Sequence, residues 1–328
     1  MHRFHVFSVY GSLFVLGAVL TAAGLSHAQP PAELAQAQSC EGLPGCDFGK
    51  TCREACGDLA CDPCCAPMSV VGFGTVNGFK GPTDLDGLNG NFGLSAGANA
   101  GLTLVEDLGL GLQAGGSYTG ADLSGTEFTG NHVRRQTIAT LGFFTRPEDD
   151  GWKLGLVYDY MHDDYYTKFD FGQWRGLVGY QLPGRNEIGV WATLSSVDDH
   201  ALIGDAVNGY SLNRFEAYNQ INPYWQRIWE GGAVTNFWVG VADNHHSMDM
   251  VFGGMASCPL NKYLAVIGGF EYIAPGSNQV DAARERELWS VYTGLAIHFG
   301  GTARCQARAA SSPVLPVADQ GSFGIVRH

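Results

Sequence analysis

The chain has 328 residues, with 32 acidic against 19 basic side chains and a formal net charge of −13. An acid excess of that size works against nucleic acid and anionic lipid headgroups as partners. Charged residues make up only 16% of the chain, against about 25% in ordinary soluble domains, and its 46 glycines are about twice the usual share. They follow no triplet period, which excludes collagen. After the first thirty residues there is no apolar run of the ~18 residues a helical membrane span requires.

In chain order, residues 1–28 begin with a basic residue, Arg3, continue with an apolar stretch from about Phe7 to Leu25, and end on Ser26-His27-Ala28. This pattern predicts a signal peptide cut after Ala28, and hence export; an uncleaved anchor helix is the alternative. Loss of Arg3 leaves the exported chain one unit more negative. Residues 29–67 form a polar linker followed by Cys40, Cys46, Cys52, Cys56, Cys61, Cys64 and Cys65. In an exported chain this density predicts a disulfide-clasped module. The C-x-x-C spacing of Cys61 and Cys64 leaves a metal knuckle as the rival reading. The odd count leaves one thiol to pair elsewhere in the chain or with an envelope partner.

From 68 to 299 the hydropathy pattern has a period of two. Twelve strands are predicted at about 69–80, 90–105, 108–119, 132–145, 151–161, 168–181, 186–196, 212–228, 232–242, 247–257, 262–273 and 286–299. In the second, Phe92, Leu94, Ala96, Ala98, Ala100, Leu102 and Leu104 alternate with Gly93, Ser95, Gly97, Asn99, Gly101 and Thr103. In the fifth, Trp152, Leu154, Leu156, Tyr158 and Tyr160 form the apolar face. Pro223 inside the eighth predicts a bulge or an early end. Connections alternate between short ones, such as 146–151 and 182–186, and longer ones, such as 120–131, 197–211 and 274–285. An even strand count with alternating loop length is the layout of a transmembrane barrel, which pairs every backbone group within lipid and has no free edge. The expected fold is therefore all-β: an antiparallel up-and-down transmembrane β-barrel of about 12 strands over 68–299, with a Cys-rich segment before it. The residues at 300–328 have the composition of a flexible tail. The alternative is a soluble secreted β-sandwich or barrel that binds a ligand or cation, against which stands the scarcity of Lys and Glu on any strand face.

On this parity the lumen-facing charges are Arg134, Lys153, Asp159, Arg175, Glu187, Arg214, Glu216 and Glu271. They would pair across a packed interior or set the ion selectivity of a narrow pore. Tyr218, Tyr292 and Trp191 point the same way and favour packing. Cys258 precedes one strand and Cys305 follows the next, so both fall at the open end of one hairpin and are expected to form a disulfide. His162, Asp163, Asp199, His200, His245 and His246 lie in longer connections and are weak candidates for a divalent cation; solvated acidic loops are the simpler account. No G-x-S-x-G, H-E-x-x-H, Walker or dinucleotide fingerprint occurs, so neither an enzyme nor a cofactor is expected.

The stretch Tyr292-Thr293-Gly294-Leu295-Ala296-Ile297-His298-Phe299 resembles the C-terminal assembly signal of bacterial outer-membrane barrels, with Gly294, Ile297 and Phe299 at the matching positions. The stretch from Gly72 to Gly97 is similar to the start of glycine-rich barrel proteins of planctomycete-type bacteria. These resemblances imply a bacterial outer-membrane location with a lipid bilayer as partner, and bring no catalytic residues with them. The expected role is structural or that of a narrow passive channel.

Overall fold

The computed structural model describes residues 68–81, 90–105, 108–122, 133–146, 151–165, 167–205, 209–243, 248–274 and 288–327. The expected leader, the segment 29–67 with its seven cysteines, His245 and His246 lie outside the described residues.

The strands in chain order are β1 (Met68–Lys80), β2 (Asn91–Val105), β3 (Leu110–Ala121), β4 (Arg134–Thr145), β5 (Trp152–Asp164), β6 (Lys168–Leu182), β7 (Asn186–Val197), β8 (Asp199–Asp205), β9 (Gly209–Ala217), β10 (Asn219–Ile228), β11 (Val234–Asp243), β12 (Met248–Pro259), β13 (Leu264–Ala274), β14 (Leu288–Phe299) and β15 (Ile325–Arg327). Twelve of them, all but β8, β9 and β15, close into one antiparallel barrel, and the remaining three form a sheet in the order β15-β9-β8. Closure is made by β1 against β14, in register from Val70 opposite Phe299 to Lys80 opposite Trp289. Each barrel strand thus has a partner on both sides and no edge is left unpaired.

The pleat sorts the side chains. Phe92, Trp152 and Leu156 point outward, 66%, 64% and 54% exposed, while Gln113 and Asp159 point inward and are fully buried. This inverts a soluble protein, with the large apolar groups outside and the charges inside. The tight connections and both barrel ends, Met68 and Phe299, share one end of the cylinder. The longer connections and the β8–β9 hairpin share the other.

Three expectations need correction. Composition predicts a flexible tail from residue 300, yet residues 300–327 turn at Gly300 and run up through the barrel. Arg146 donates to the carbonyls of Ala307 and Pro313 near the tight-turn end, Arg175 donates to Pro316 O at 2.7 Å midway, and Tyr218 N donates to Gly324 O at 2.8 Å near the far end. β15 then pairs with β9, Val326 opposite Glu216. Enclosure orders the segment, not its own hydropathy. Second, 212–228 is not a single strand. The chain leaves the barrel after β7, makes the β8–β9 hairpin and re-enters at β10. Pro223 neither ends β10 nor bulges it, for the ladder to β11 skips Asn222 and Pro223 and resumes in the same register. Third, no Cys258–Cys305 disulfide forms, although both residues are buried. Cys258 stands opposite Val266, itself opposite the exposed Leu295, which puts it on the outward face. Cys305 belongs to the segment that turns inward, so the barrel wall lies between them.

Candidate functional site

The lumen holds the polar chemistry of the chain. Period-two alternation on β4, β5, β6 and β7 aims Arg134, Lys153, Asp159, Arg175 and Glu187 inward, and β13 aims Glu271 inward; all are buried. Most of these charges are neutralised by a partner one or two strands away round the wall. Arg134 grips Asp163 with two bonds of 3.1 and 2.6 Å, and its guanidinium lies over the rings of Phe79 and Tyr165. Arg175 grips Asp159 at 2.9 and 3.2 Å, and Thr140 Oγ1 donates to the same carboxylate at 2.6 Å. Lys153 pairs with Glu187, which also accepts from the Tyr224 hydroxyl. A buried pair is sustained only when its remaining lone pairs are also satisfied, and these meet that condition.

Two charges placed in the lumen by sequence parity sit elsewhere. Arg214 lies on β9, outside the barrel sheet, where its half-exposed side chain contacts Asp198 at 2.7 Å and Glu216 at 2.8 Å. Glu216 is buried on the same strand. Both follow from the hairpin taking residues 209–217 out of the wall.

The cation candidates do not converge. His162 and Asp163 are adjacent on β5, so the pleat sends them to opposite faces. His162 Nδ1 meets Asp170 at 2.8 Å on the outer side, and Asp163 meets Arg134 inside. Asp199 accepts from the backbone N–H of Asp170 at 3.0 Å, and His200 follows it on β8. Among the described residues no group of three or more His, Cys, Asp or Glu is placed to hold a metal ion.

Sequence parity did not single out the uncharged groups that hold the C-terminal segment. Asn99 and Gln113 both donate to Leu315 O at 3.0 Å, Thr140 Oγ1 accepts from Ala318 N at 3.2 Å, and Gln173 donates to Ser322 O at 3.0 Å. Gln320 from the segment reaches Thr119 and Gln136, each at 3.1 Å. The inward alternation of Gln113, Gln136 and Gln173 was the available signal. Arg146, just beyond β4, is also engaged. Burial beneath the segment lowers its guanidinium from the ordinary value, and the Glu187 carboxylate opposes that.

Glycines shape the contact. A Cβ on Gly115 would stand 2.6 Å from Val317 Cγ2, one on Gly155 would stand 2.7 Å from Val314 Cγ2, and one on Gly101 would collide with Ser311 O and Pro313. At the far end Val317, Ala318, Phe323 and Ile325 of the segment pack with Ile138, Phe171 and Phe215 in the main apolar core. Beside the segment a cavity of about 320 Å³ remains, lined from β11–β14 and also from β1–β3, β5–β7 and β10, with Arg146, Lys153, Arg175, Glu271 and Asp319 among its lining residues.

These features define a closed antiparallel barrel that holds its own C-terminal segment in its lumen. The chain belongs to a family of unknown function, DUF6666, which matches residues 69–325 and so includes that segment. No curated protein matches it. Among solved structures it is similar to a mutant of the TodX monoaromatic hydrocarbon channel, at 9% identity and a TM-score of 0.41 over 71% of this chain and 90% of that one. It is also similar to the translocator domain of the autotransporter NalP from Neisseria meningitidis, at 14% identity and a TM-score of 0.40 over 71% and 88%. A third likeness is to outer membrane phospholipase A from Escherichia coli, at 14% identity and a TM-score of 0.37 over 69% and 89%. Identities and scores this low transfer no activity to the present chain.

Proposed function

We propose that the chain is an exported bacterial outer-membrane β-barrel whose lumen is closed by its own C-terminal segment, and that its role is structural and not that of an open channel. The observation that carries the membrane half is the inversion of polarity. A ring of outward leucines, valines and aromatics surrounds an inner face of buried charges, which suits hydrocarbon outside and a polar lumen inside. The plug half is supported by the row of bonds from β2, β3, β4, Arg146 and β6 to residues 307–322. Met68 lies at the tight-turn end, which is the periplasmic side in this reading, and the odd cysteine count before it is the basis for a disulfide to an envelope partner.

The test is the full chain in detergent and in planar bilayers. It is expected to need detergent, to show heat-modifiable gel mobility and to give no steady conductance. Monodisperse behaviour in plain buffer would return the reading to a soluble ligand-binding barrel. Steady conductance by the intact chain would replace the plug with a passive channel.

A further inference from the structure

The two halves of the lumen are used differently. The inner face of β2–β6 supplies most of the hydrogen bonds to the C-terminal segment, whereas β13 and β14 meet it by packing, a Cβ on Gly321 standing 2.7 Å from Ser290 Oγ and 3.0 Å from Glu271 Cβ, and leave more of their inner face to the cavity. On β12 and β13 two glycines lie under aromatic rings of the barrel itself. Gly253 stands opposite Trp238 on the neighbouring strand, and a Cβ there would strike the indole; Gly269 stands opposite Tyr292, and a Cβ there would meet its ring at 2.9 Å. Trp238 meets Trp191 edge-on at 5.9 Å between centroids. The cavity is thus walled by aromatic rings, and Tyr218, Ile273, Leu288 and Val326 pack into an apolar cluster toward its loop end.

Into this cavity points a carboxylate that makes no ion pair among the described residues. Glu271 is 5% exposed, one oxygen accepts from Trp238 Nε1 at 3.1 Å, and Oε1 has no hydrogen-bond partner among the described residues. Three cations also line the cavity, but each is engaged by another partner: Lys153 by Glu187, Arg175 by Asp159, and Arg146 by two tail carbonyls. Asp319 of the tail lines the same cavity and adds a second carboxylate, its Oδ1 accepting from Ser322. The buried Asn77 and Asn99 also line the cavity, and the Oδ1 of each lacks a partner among the described residues. Arg146 Nε and Ser312 Oγ also line it without a partner among the described residues, so the unsatisfied groups around the cavity are mostly, not all, acceptors, and the carboxylate oxygen is the most costly of them to leave buried in that state. The complement is a ligand that brings donors and positive charge. A calcium ion takes six to eight oxygens, whereas this site offers few oxygens and much aromatic surface, which attracts an organic cation through ring quadrupoles. The volume is within the range of small-molecule sites, about 300–1,000 Å³.

We propose that the cavity beside the C-terminal segment binds a small organic ammonium ion, its charge on the Glu271 carboxylate and its apolar body against Trp238 and Tyr292. The proposal requires the segment in place, since Asp319 and the near wall belong to it. It goes beyond the structural role and does not depend on conductance.

The test is isothermal titration of the full chain in a neutral detergent with benzylammonium, benzyl alcohol and benzoate. Benzylammonium is expected to bind saturably at one site, with benzyl alcohol at least tenfold weaker and benzoate weaker again. Glu271→Gln, with folding checked by heat-modifiable mobility, is expected to weaken benzylammonium at least tenfold and to leave benzyl alcohol unchanged. No saturable binding of benzylammonium, equal binding of the alcohol, or full affinity in E271Q would each overturn the proposal. If E271Q does not fold, the comparison of the three probes on the native chain decides. Steady conductance together with saturable benzylammonium binding would sink the seal alone, since the segment can line the site without closing the lumen, whereas conductance without that binding would overturn both.

Discussion

The claim that inward glycines reserve space for the C-terminal segment is tested by filling one of them. Gly115 lies on β3 between Asn99 of β2 and Thr140 of β4, facing Val317 of the segment. In Gly115→Val the new Cβ would stand 2.6 Å from Val317 Cγ2 and 2.8 Å from Ala98 O and Asn99 Oδ1. Valine is a good strand former, although the Ala98 carbonyl of β2 must also give by a few tenths of an ångström to admit it. Overpacking of this kind costs about 1–3 kcal/mol. The wall is held by continuous ladders on both sides of β3, whereas the segment is held at intervals by side-chain bonds, so the segment yields first. At 1.4 kcal/mol per factor of ten, its opening equilibrium should shift by about five- to 150-fold. The assay is hydrogen exchange of the amides from 315 to 326 in the detergent-solubilised chain, where Ala318 N–H and Tyr218 N–H report the contact from either side. Gly74→Ala is the control, since a Cβ there meets no atom within 4 Å. Native exchange rates in G115V, or an equal rise in the control, would refute the reasoning.

Two further outcomes follow from the wall. Arg175→Ala leaves Asp159 buried without its cation and removes the bond to Pro316 O, so the urea midpoint of the folded barrel should fall by the equivalent of about 3–5 kcal/mol, and Arg175→Met combined with Asp159→Leu should recover most of it. An unchanged midpoint in R175A would mean the pair is not buried as described. Leu156→Arg places a charge at mid-strand on the outward face and should cost about 2–4 kcal/mol in equilibrium folding into lipid vesicles if that face meets the bilayer midplane. A change within about 0.5 kcal/mol is what a water-facing site would give, and it would remove the membrane reading.

The barrel was legible because its signal is simple. A strand between two neighbours with unlike surroundings on its two faces must alternate, and Phe92, Leu94, Leu102 and Leu104 against Gly93, Ser95, Asn99 and Gly101 carry that alternation without ambiguity. The C-terminal segment was not legible because its burial has no local cause. Ala, Ser, Pro and Gly at 309–324 form neither a helical stripe nor an alternating strand, and what hides them is a tube built by other residues. The β8–β9 hairpin was missed for a related reason. Residues 212–217 continue the alternation of 219–228 across Tyr218, so period alone joins two strands that belong to different sheets. The inward charges on β4–β7 and β13 could be placed by parity, but the pairing of Arg175 with Asp159 depends on the stagger between β5 and β6, and single-sequence periodicity does not fix that register.

The question of why so many inward positions carry no side chain has two answers, and they divide the lumen. On β2, β3 and β5, Gly101, Gly115 and Gly155 lie under Ser311, Val317 and Val314, so the missing side chains are replaced by a second piece of chain. On β12 and β13, Gly253 and Gly269 lie under Trp238 and Tyr292, rings supplied by the neighbouring strands. The first arrangement fills space with backbone and brings carbonyls that Asn99, Gln113, Arg175 and Gln173 can bond. The second sets two aromatic rings close against the wall, beside the cavity. A barrel meant only to be plugged would have no cause to set two rings beside a Glu271 that makes no ion pair among the described residues. A barrel meant only to conduct would not thread residues 300–327 through its own axis. The asymmetry of the glycines accounts for both features, because one set makes room for the segment and the other makes room for the rings beside the cavity.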